Sequence, residues 1–288
     1  MNAVHPPITA VRAAVERALA EDLEPLGDLT AGLLAAGAQA RGAIVAHAGG
    51  VVAGRHCAVG SFAGVDLAVE VEWLTDDGSR VGPGDVVATV RGPAASILTA
   101  ERTALNFLCH LSGIATLTRR FVDAAAAGGP ARIWDTRKTT PGLRALEKAA
   151  VRAGGGANHR GNLSDWVLLK DNHLTGLGIT EAVAEVRRRW PGRTVEVEAD
   201  RLYQVVEAIA AGADLVLLDN MTPGEVARCV AERGEARHPF LEASGGVTLD
   251  TVGAYADTGV DLISVGALTH SAPALDLGLD LDVDPDTV

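Results

Sequence analysis

Lysine is almost missing from this chain of 288 residues: only Lys138, Lys148 and Lys170 occur, although arginine is plentiful. In such a chain a retained lysine can mark a place for a compact, strongly hydrated ammonium. Chance explains the same three residues equally well, so their scarcity alone assigns no function. Cysteine is sparse too. Cys57, Cys109 and Cys229 lie far apart and show no metal-ligand spacing, which points to reduced thiols and a cytoplasmic setting. No run of about 18 uncharged apolar residues occurs, so no membrane span is expected. Residues 1–23 lack a basic start followed by an apolar stretch, so they do not read as a secretory signal. Excess positive charge is also absent: 25 basic residues face 37 acidic ones, a formal net charge of −12. That balance speaks against nucleic acid or an anionic membrane as the partner, and it gives weight to any local cluster of cations. What remains is 48% hydrophobic, enough for a sizeable core.

The two halves of the chain differ in pattern. Ile8, Val11, Val15 and Leu19 recur at helical spacing and predict an amphipathic opening helix. RGAIVAHAGGVVAG reads as two short strands around a glycine turn, RHCAVGSFAGV as a helix and LAVEVEWL as an alternating strand. DDGSRVGPGDVVATVRG reads as a β-ribbon reversing at Gly82, Pro83 and Gly84. The ribbon has the look of a lipoyl- or biotin-carrier hairpin, but this half lacks the lysine such a hairpin must present. A long helix is expected over 94–127, carrying Glu101, Arg102, Asn106 and His110. From Ile133 onward, strands alternate with helices: RIWDT, DWVLLK, VEVEAD, DLVLLD, FLEAS and DLISVG are separated by helical segments of roughly 10–15 residues. This alternation predicts a parallel sheet with helical crossovers. Six strands fall short of a complete barrel, so an incomplete α/β barrel following an N-terminal α+β sandwich is the first expectation and a doubly wound sheet the second. The expected domains are 1–112, joined by 275–288, and 113–274.

In parallel α/β folds the chemistry lies beyond the carboxyl ends of the strands. One charged residue there is usually a solvated loop charge; recurrence at six successive strand ends reverses that judgement. RIWDT leads through Thr136 to Arg137 and Lys138, and DWVLLK ends at Lys170 before Asp171, Asn172 and His173. AGGGANHRGN brings His159 and Arg160. These five cations suit carboxylates, to which arginine can bind through two parallel hydrogen bonds. Glu196 and Glu198 share one side of their strand. Glu198 and Asp219 suit either ribose hydroxyls or a magnesium shell. Ser244, Gly245 and Gly246, with Gly266 and Ala267 at the last strand end, precede predicted helices and suit phosphate; the glycines serve backbone geometry equally well. A lysine such as Lys170 at a strand end can also form a Schiff base, although nothing nearby indicates a carbonyl substrate.

The strings EDLEPLGDLT, ERTALNFLCHLSGIAT, DTRKTTPGLRALEKAAVRAGGGANHR, LLKDNH, VEVEAD, LLDNM, EASGGV and ISVGALTHSAPALDLGLD span nearly the whole chain. In this order they closely resemble the quinolinate phosphoribosyltransferase family. The resemblance implies quinolinate and phosphoribosyl pyrophosphate as substrates and Mg2+ as cofactor, with the metal ligands left open. It also implies a homodimer or higher assembly in which Arg102 reaches a neighbouring subunit's site. Arg137, Lys138, His159, Arg160 and Lys170 would surround quinolinate, and Glu198 and Asp219 the ribose. Ser244, Gly245, Gly246, Val265, Gly266 and Ala267 would hold the 5-phosphate. Catalytic roles are expected for Lys138, Lys170, Glu198 and Asp219. Residues 161–166 depart from the family's pattern after the NHR motif, and His270 is expected either to help bind phosphate or to cap a helix.

Overall fold

A computed structural model describes residues 4–287 apart from 36 and 175, and resolves two compact units. The first comprises Met1–Arg119, Thr139–Gly155 and Leu268–Val288. Its elements are α1 (Ile8–Leu23), β1 (Gln39–Ala46), β2 (Gly50–Val51), α2 (Arg55–Val65), β3 (Glu70–Trp73), β4 (Arg80–Val81), β5 (Val86–Pro93) and the long α3 (Ala94–Ala126), which begins here. An antiparallel sheet of four strands is completed by β12 (Leu277–Val283), which pairs with β1 from Ala40 against Val283 to Ala46 against Leu277. This is the returning strand expected at the C-terminal end. Alternation fixes the buried face: Ala40, Ile44 and Ala46 from β1 and Ala88 and Val90 from β5 join Phe62, Ile97 and Leu108 from the helices in one core. Opposite, Arg41, Glu70, Arg91 and Asp282 line a polar depression.

Two details differ from the sequence reading. β4 and β5 do not pair as a ribbon: β4 pairs with β2, and β5 with β1 and β3. The turn at residues 82–85 was legible, with Gly84 at φ 89° and Asp85 accepting the Gly82 N–H at 2.7 Å. The strands then part into different sheets, because the hydrophobic rows that complete them come from distant sequence. On α1, Val11, Val15 and Leu19 are buried as expected and Ala14 joins them, whereas Ile8 in the first turn is exposed.

The second unit, Arg120–Lys138 and Gly156–Ala267, holds six parallel strands. In chain order these are β6 (Arg132–Trp134), β7 (Val167–Leu169), β8 (Val195–Ala199), β9 (Leu215–Asp219), β10 (Phe240–Ser244) and β11 (Leu262–Ser264). Helices α5 (Ile179–Arg189), α6 (Leu202–Ala210), α7 (Pro223–Arg233) and α8 (Val252–Ala256) follow β7 to β10 in turn; α4 (Arg144–Ala153) belongs to the first unit, and α9 (Ala267–His270) begins after β11. The spatial order β7-β8-β9-β10-β11-β6 runs consecutively and brings the first strand beside the last. That winding is a barrel left open between β6 and β7; a doubly wound sheet would reverse direction midway. Val197, Val216, Leu218, Leu241 and Ile263 are fully buried. The alternate positions form ladders across the strands: Glu198 beside Leu217 beside Glu242, then Asp219 beside Ser244 beside Ser264. The polar residues of the sheet therefore stack toward the carboxyl ends on one side.

Candidate active site

A cavity of about 180 Å³ opens there. Nine residues singled out from the sequence line it: Thr136, Arg137 and Lys138 after β6, His159 and Arg160 before β7, and Lys170, Glu198, Asp219 and Ser244 at the ends of β7 to β10. Leu168 and Leu217 give it apolar wall, while Glu242 and Ser264 line it without having been anticipated. Larger depressions lie on the outer face of the antiparallel sheet, but there Arg91 and Glu70 neutralise one another in an exposed ion pair and no reactive group converges.

Beneath the cationic walls lies a buried network. Asp135, fully enclosed, accepts the His159 backbone N–H at 2.9 Å and Asn158 Nδ2 at 2.6 Å, which anchors the loop carrying His159 and Arg160. His159 Nε2 faces two carboxylates, Glu196 Oε2 at 3.2 Å and Glu242 Oε2 at 3.7 Å, so the hydrogen on that nitrogen points toward Glu196. Trp166 Nε1 donates to the same Glu196 oxygen at 2.7 Å, and its ring stacks 4.9 Å from His159 at a tilt. The atypical segment 161–166 is thus a tight turn, with Asp165 accepting the Gly161 N–H at 2.6 Å, that delivers Trp166 over His159. Burial, then the neighbouring Arg137 charge, lowers the Arg160 pKa from the usual guanidinium value. Burial, reinforced by the charge of Glu196, raises Glu242 well above the ordinary carboxylate range.

Nearer the mouth, Lys170 Nζ pairs tightly with Glu198. Asp219 accepts Asn220 Nδ2 at 2.7 Å, and the Asn220 backbone N–H donates to Ser244 O at 2.9 Å, tying β9 to β10 at their ends. Gly245 and Gly246 follow with φ of 91° and 64°, and a Cβ on Gly245 would lie 2.2 Å from Asn220 Oδ1. A side chain would therefore be strained by backbone and neighbour alike. Val265 is buried and donates its N–H to Trp134 O at 2.9 Å; Gly266 follows and Ala267 starts α9. Gly245, Gly246, Val265, Gly266 and Ala267 are not cavity-lining residues, although the strands they follow end at it. Arg102 is exposed on α3 and does not line the cavity either. His270 Nδ1 lies 2.6 Å from Ser271 Oγ, an exposed local contact.

Glu198 and Asp219 are the part-exposed carboxylates of the cavity. Magnesium keeps several waters and joins one or two carboxylates to substrate phosphates, so this pair suits it. His159, Glu196 and Glu242 bring donor atoms within 4.8 Å of one another. They are buried, and His159 already pairs with Glu196, a poor exchange for the waters magnesium gives up reluctantly.

Two family models match the chain: the N-terminal domain of quinolinate phosphoribosyl transferase over residues 28–112, and its C-terminal domain over 114–280. The chain belongs to the quinolinate phosphoribosyltransferase family. Curated relatives of this quinolinate phosphoribosyltransferase-family chain include the nicotinate-nucleotide pyrophosphorylase [carboxylating] of Mycobacterium leprae, 45% identical over 94% of this chain and 97% of that one. The human protein of the same name is 41% identical over 96% and 93%. Among solved structures, the nicotinate-nucleotide pyrophosphorylase of Francisella tularensis superposes with a TM-score of 0.91 at 37% identity, covering 98% of this chain and 99% of that one. No helix among the described residues is long and apolar enough to cross a membrane.

Proposed function

We propose that this chain joins the pyridine nitrogen of quinolinate to C1 of phosphoribosyl pyrophosphate, releasing pyrophosphate and carbon dioxide and leaving nicotinate mononucleotide. One observation carries the proposal: in a chain of net charge −12, Arg137, Lys138, Arg160 and Lys170 converge on one small cavity with His159 among them. Two adjacent carboxylates repel each other, and a substrate bearing them needs such neutralisation.

The first step develops positive charge on the ribose while the leaving pyrophosphate gains negative charge. Glu198 and Asp219 face that ribose, accept hydrogen bonds from its hydroxyls and favour its developing charge. Lys138 and Lys170 are point charges suited to phosphate and carboxylate oxygens, and the Lys170–Glu198 pair holds both groups in place before substrate arrives. Glu198 and Asp219 would hold magnesium, which would supply charge neutralisation at the leaving group. The 5-phosphate fits the turns at Gly245, Gly246 and Gly266, where backbone N–H groups can approach closely. Once the ring nitrogen is glycosylated its positive charge stabilises the electron pair left when the 2-carboxylate departs. A second copy of the chain supplies Arg102, whose exposure on α3 leaves it open to a neighbour; the assembly works in the cytoplasm, where thiols stay reduced.

The test supplies the protein and Mg2+ with phosphoribosyl pyrophosphate and either quinolinate or nicotinate. Pyrophosphate and carbon dioxide from quinolinate are expected. Pyrophosphate from nicotinate alone would overturn the reading.

A further inference from the structure

The activity proposed above makes one chemical demand that the cationic walls do not meet. When the 2-carboxylate leaves the glycosylated ring, the bonding pair stays on C2, and that carbon must gain a proton.

Glu242 stands at the cavity in an unusual condition. It is fully buried yet lines the cavity, and neither carboxyl oxygen makes a hydrogen bond of good geometry; its weaker polar contacts are to Ser264 and Glu196. His159 Nε2 is 3.7 Å away and is closer to Glu196. Glu196 is itself engaged by Trp166 Nε1 at 2.7 Å, and Lys170 is engaged by Glu198. The strand neighbours of Glu242 are Leu217 and Leu262, which offer no polar atom from their side chains. A bare carboxylate so placed would be costly, with neither water nor a cation to offset its charge. Burial and the charge of Glu196 instead raise the affinity of Glu242 for a proton well above that of an ordinary carboxylate. A buried group without a good hydrogen bond normally requires a reason; here the ligand that fills the cavity provides one.

We propose that Glu242 is the acid that protonates ring C2 as carbon dioxide leaves. The proposal rests on the functional reading above. The bond between C2 and its carboxylate carbon breaks with both electrons remaining on C2, and neutral CO2 departs. In the same step the Glu242 O–H proton passes to that electron pair and forms the C2–H bond of the product, so cleavage slows whenever the proton transfer does. Glu242 is left as a carboxylate beside Glu196, a repulsive arrangement that drives it to take a proton from water as the product leaves.

Glu242→Gln tests this directly, because glutamine keeps the volume, neutrality and an N–H donor but has no proton to give. With quinolinate, phosphoribosyl pyrophosphate and Mg2+, wild-type protein is expected to form CO2 and pyrophosphate one for one. In the variant CO2 should fall behind pyrophosphate on the order of a hundredfold, the usual scale of a lost general acid, and a nucleotide retaining both carboxylates should accumulate. Glu242→Asp, which retains an acid, should restore part of the CO2 release and clear that nucleotide. One-to-one products from Glu242→Gln, whether at full or reduced rate, would overturn the proposal. A second measurement does not depend on the variant folding: wild-type CO2 release should slow in D2O while the first-turnover burst of pyrophosphate does not. Equal slowing of both, or of neither, also counts against Glu242. A wild-type protein that makes no pyrophosphate from quinolinate would instead defeat the functional reading itself.

Discussion

At the scale of single residues, the groups that matter are held by neighbours whose job is geometric. Lys170→Ala removes a cavity cation and leaves Glu198 unpaired, so kcat with quinolinate should fall on the order of a hundred- to a thousandfold, measured by initial rates of pyrophosphate release. Gly245→Ala should cost about 1–3 kcal/mol through its left-handed backbone, and the Asn220 contact adds to the strain; denaturant unfolding reads this. Glu242 sets a pH dependence of stability. Its pKa is raised on folding, so the folded state holds a proton that the unfolded state gives up above its ordinary value of about 4.3. Stability relative to Glu242→Gln should therefore decline as pH rises past that value, and level off only where Glu242 ionises within the fold. A difference independent of pH between 4 and 8, about the range in which native stability peaks, would contradict this. Burial, then the charge of Asp77, pushes the Cys57 thiol up to about 12, so alkylating reagents at neutral pH should spare it until the protein unfolds. The cationic residues were legible because six strand ends repeated one theme. Glu242 was not: FLEAS is too short to show which side faces the barrel, and only the register with Leu217 and Leu262 tells.

At the scale of elements, helices and parallel strands could be read because their defining contacts recur locally. All six strands from Arg132 to Ser264 lie where periodicity put them, FLEAS unchanged and the others with ends trimmed by one or two residues, and a helix follows each of β7 to β10 as expected, although α8 is only five residues long. α7 also carries its own start signal: Thr222 accepts the Glu225 N–H, Glu225 accepts the Thr222 N–H, and Pro223 occupies the first turn. Thr222→Ala should lower stability by about 1 kcal/mol, seen as a lower Tm, while turnover of the folded protein stays unchanged, since this cap lies outside the cavity. Antiparallel pairing was less legible. The partners of β4 and β5 are set by side-chain rows from β1, β2 and β3, so a plausible local ribbon gave way to two separate sheets.

At the scale of the whole molecule, a chain of net charge −12 brings Arg137, Lys138, Arg160 and Lys170 together at one barrel mouth. Arg102 is the element of the account that one subunit does not explain: it is exposed on α3, outside the cavity. If a partner's site uses it, Arg102→Ala and Lys170→Ala proteins should each be inactive alone and regain part of the activity when subunits are mixed and allowed to exchange. Two inactive proteins that stay inactive after proven exchange would contradict shared sites. The central claim, that this cavity decarboxylates quinolinate while transferring phosphoribose to it, is tested most directly by carbon-labelled quinolinate. Label in the 2-carboxylate should appear as CO2 in one-to-one ratio with pyrophosphate, and label in the 3-carboxylate should remain in the nucleotide. Release of the 3-carboxylate label, or pyrophosphate formed with both labels retained in the final product, would contradict it.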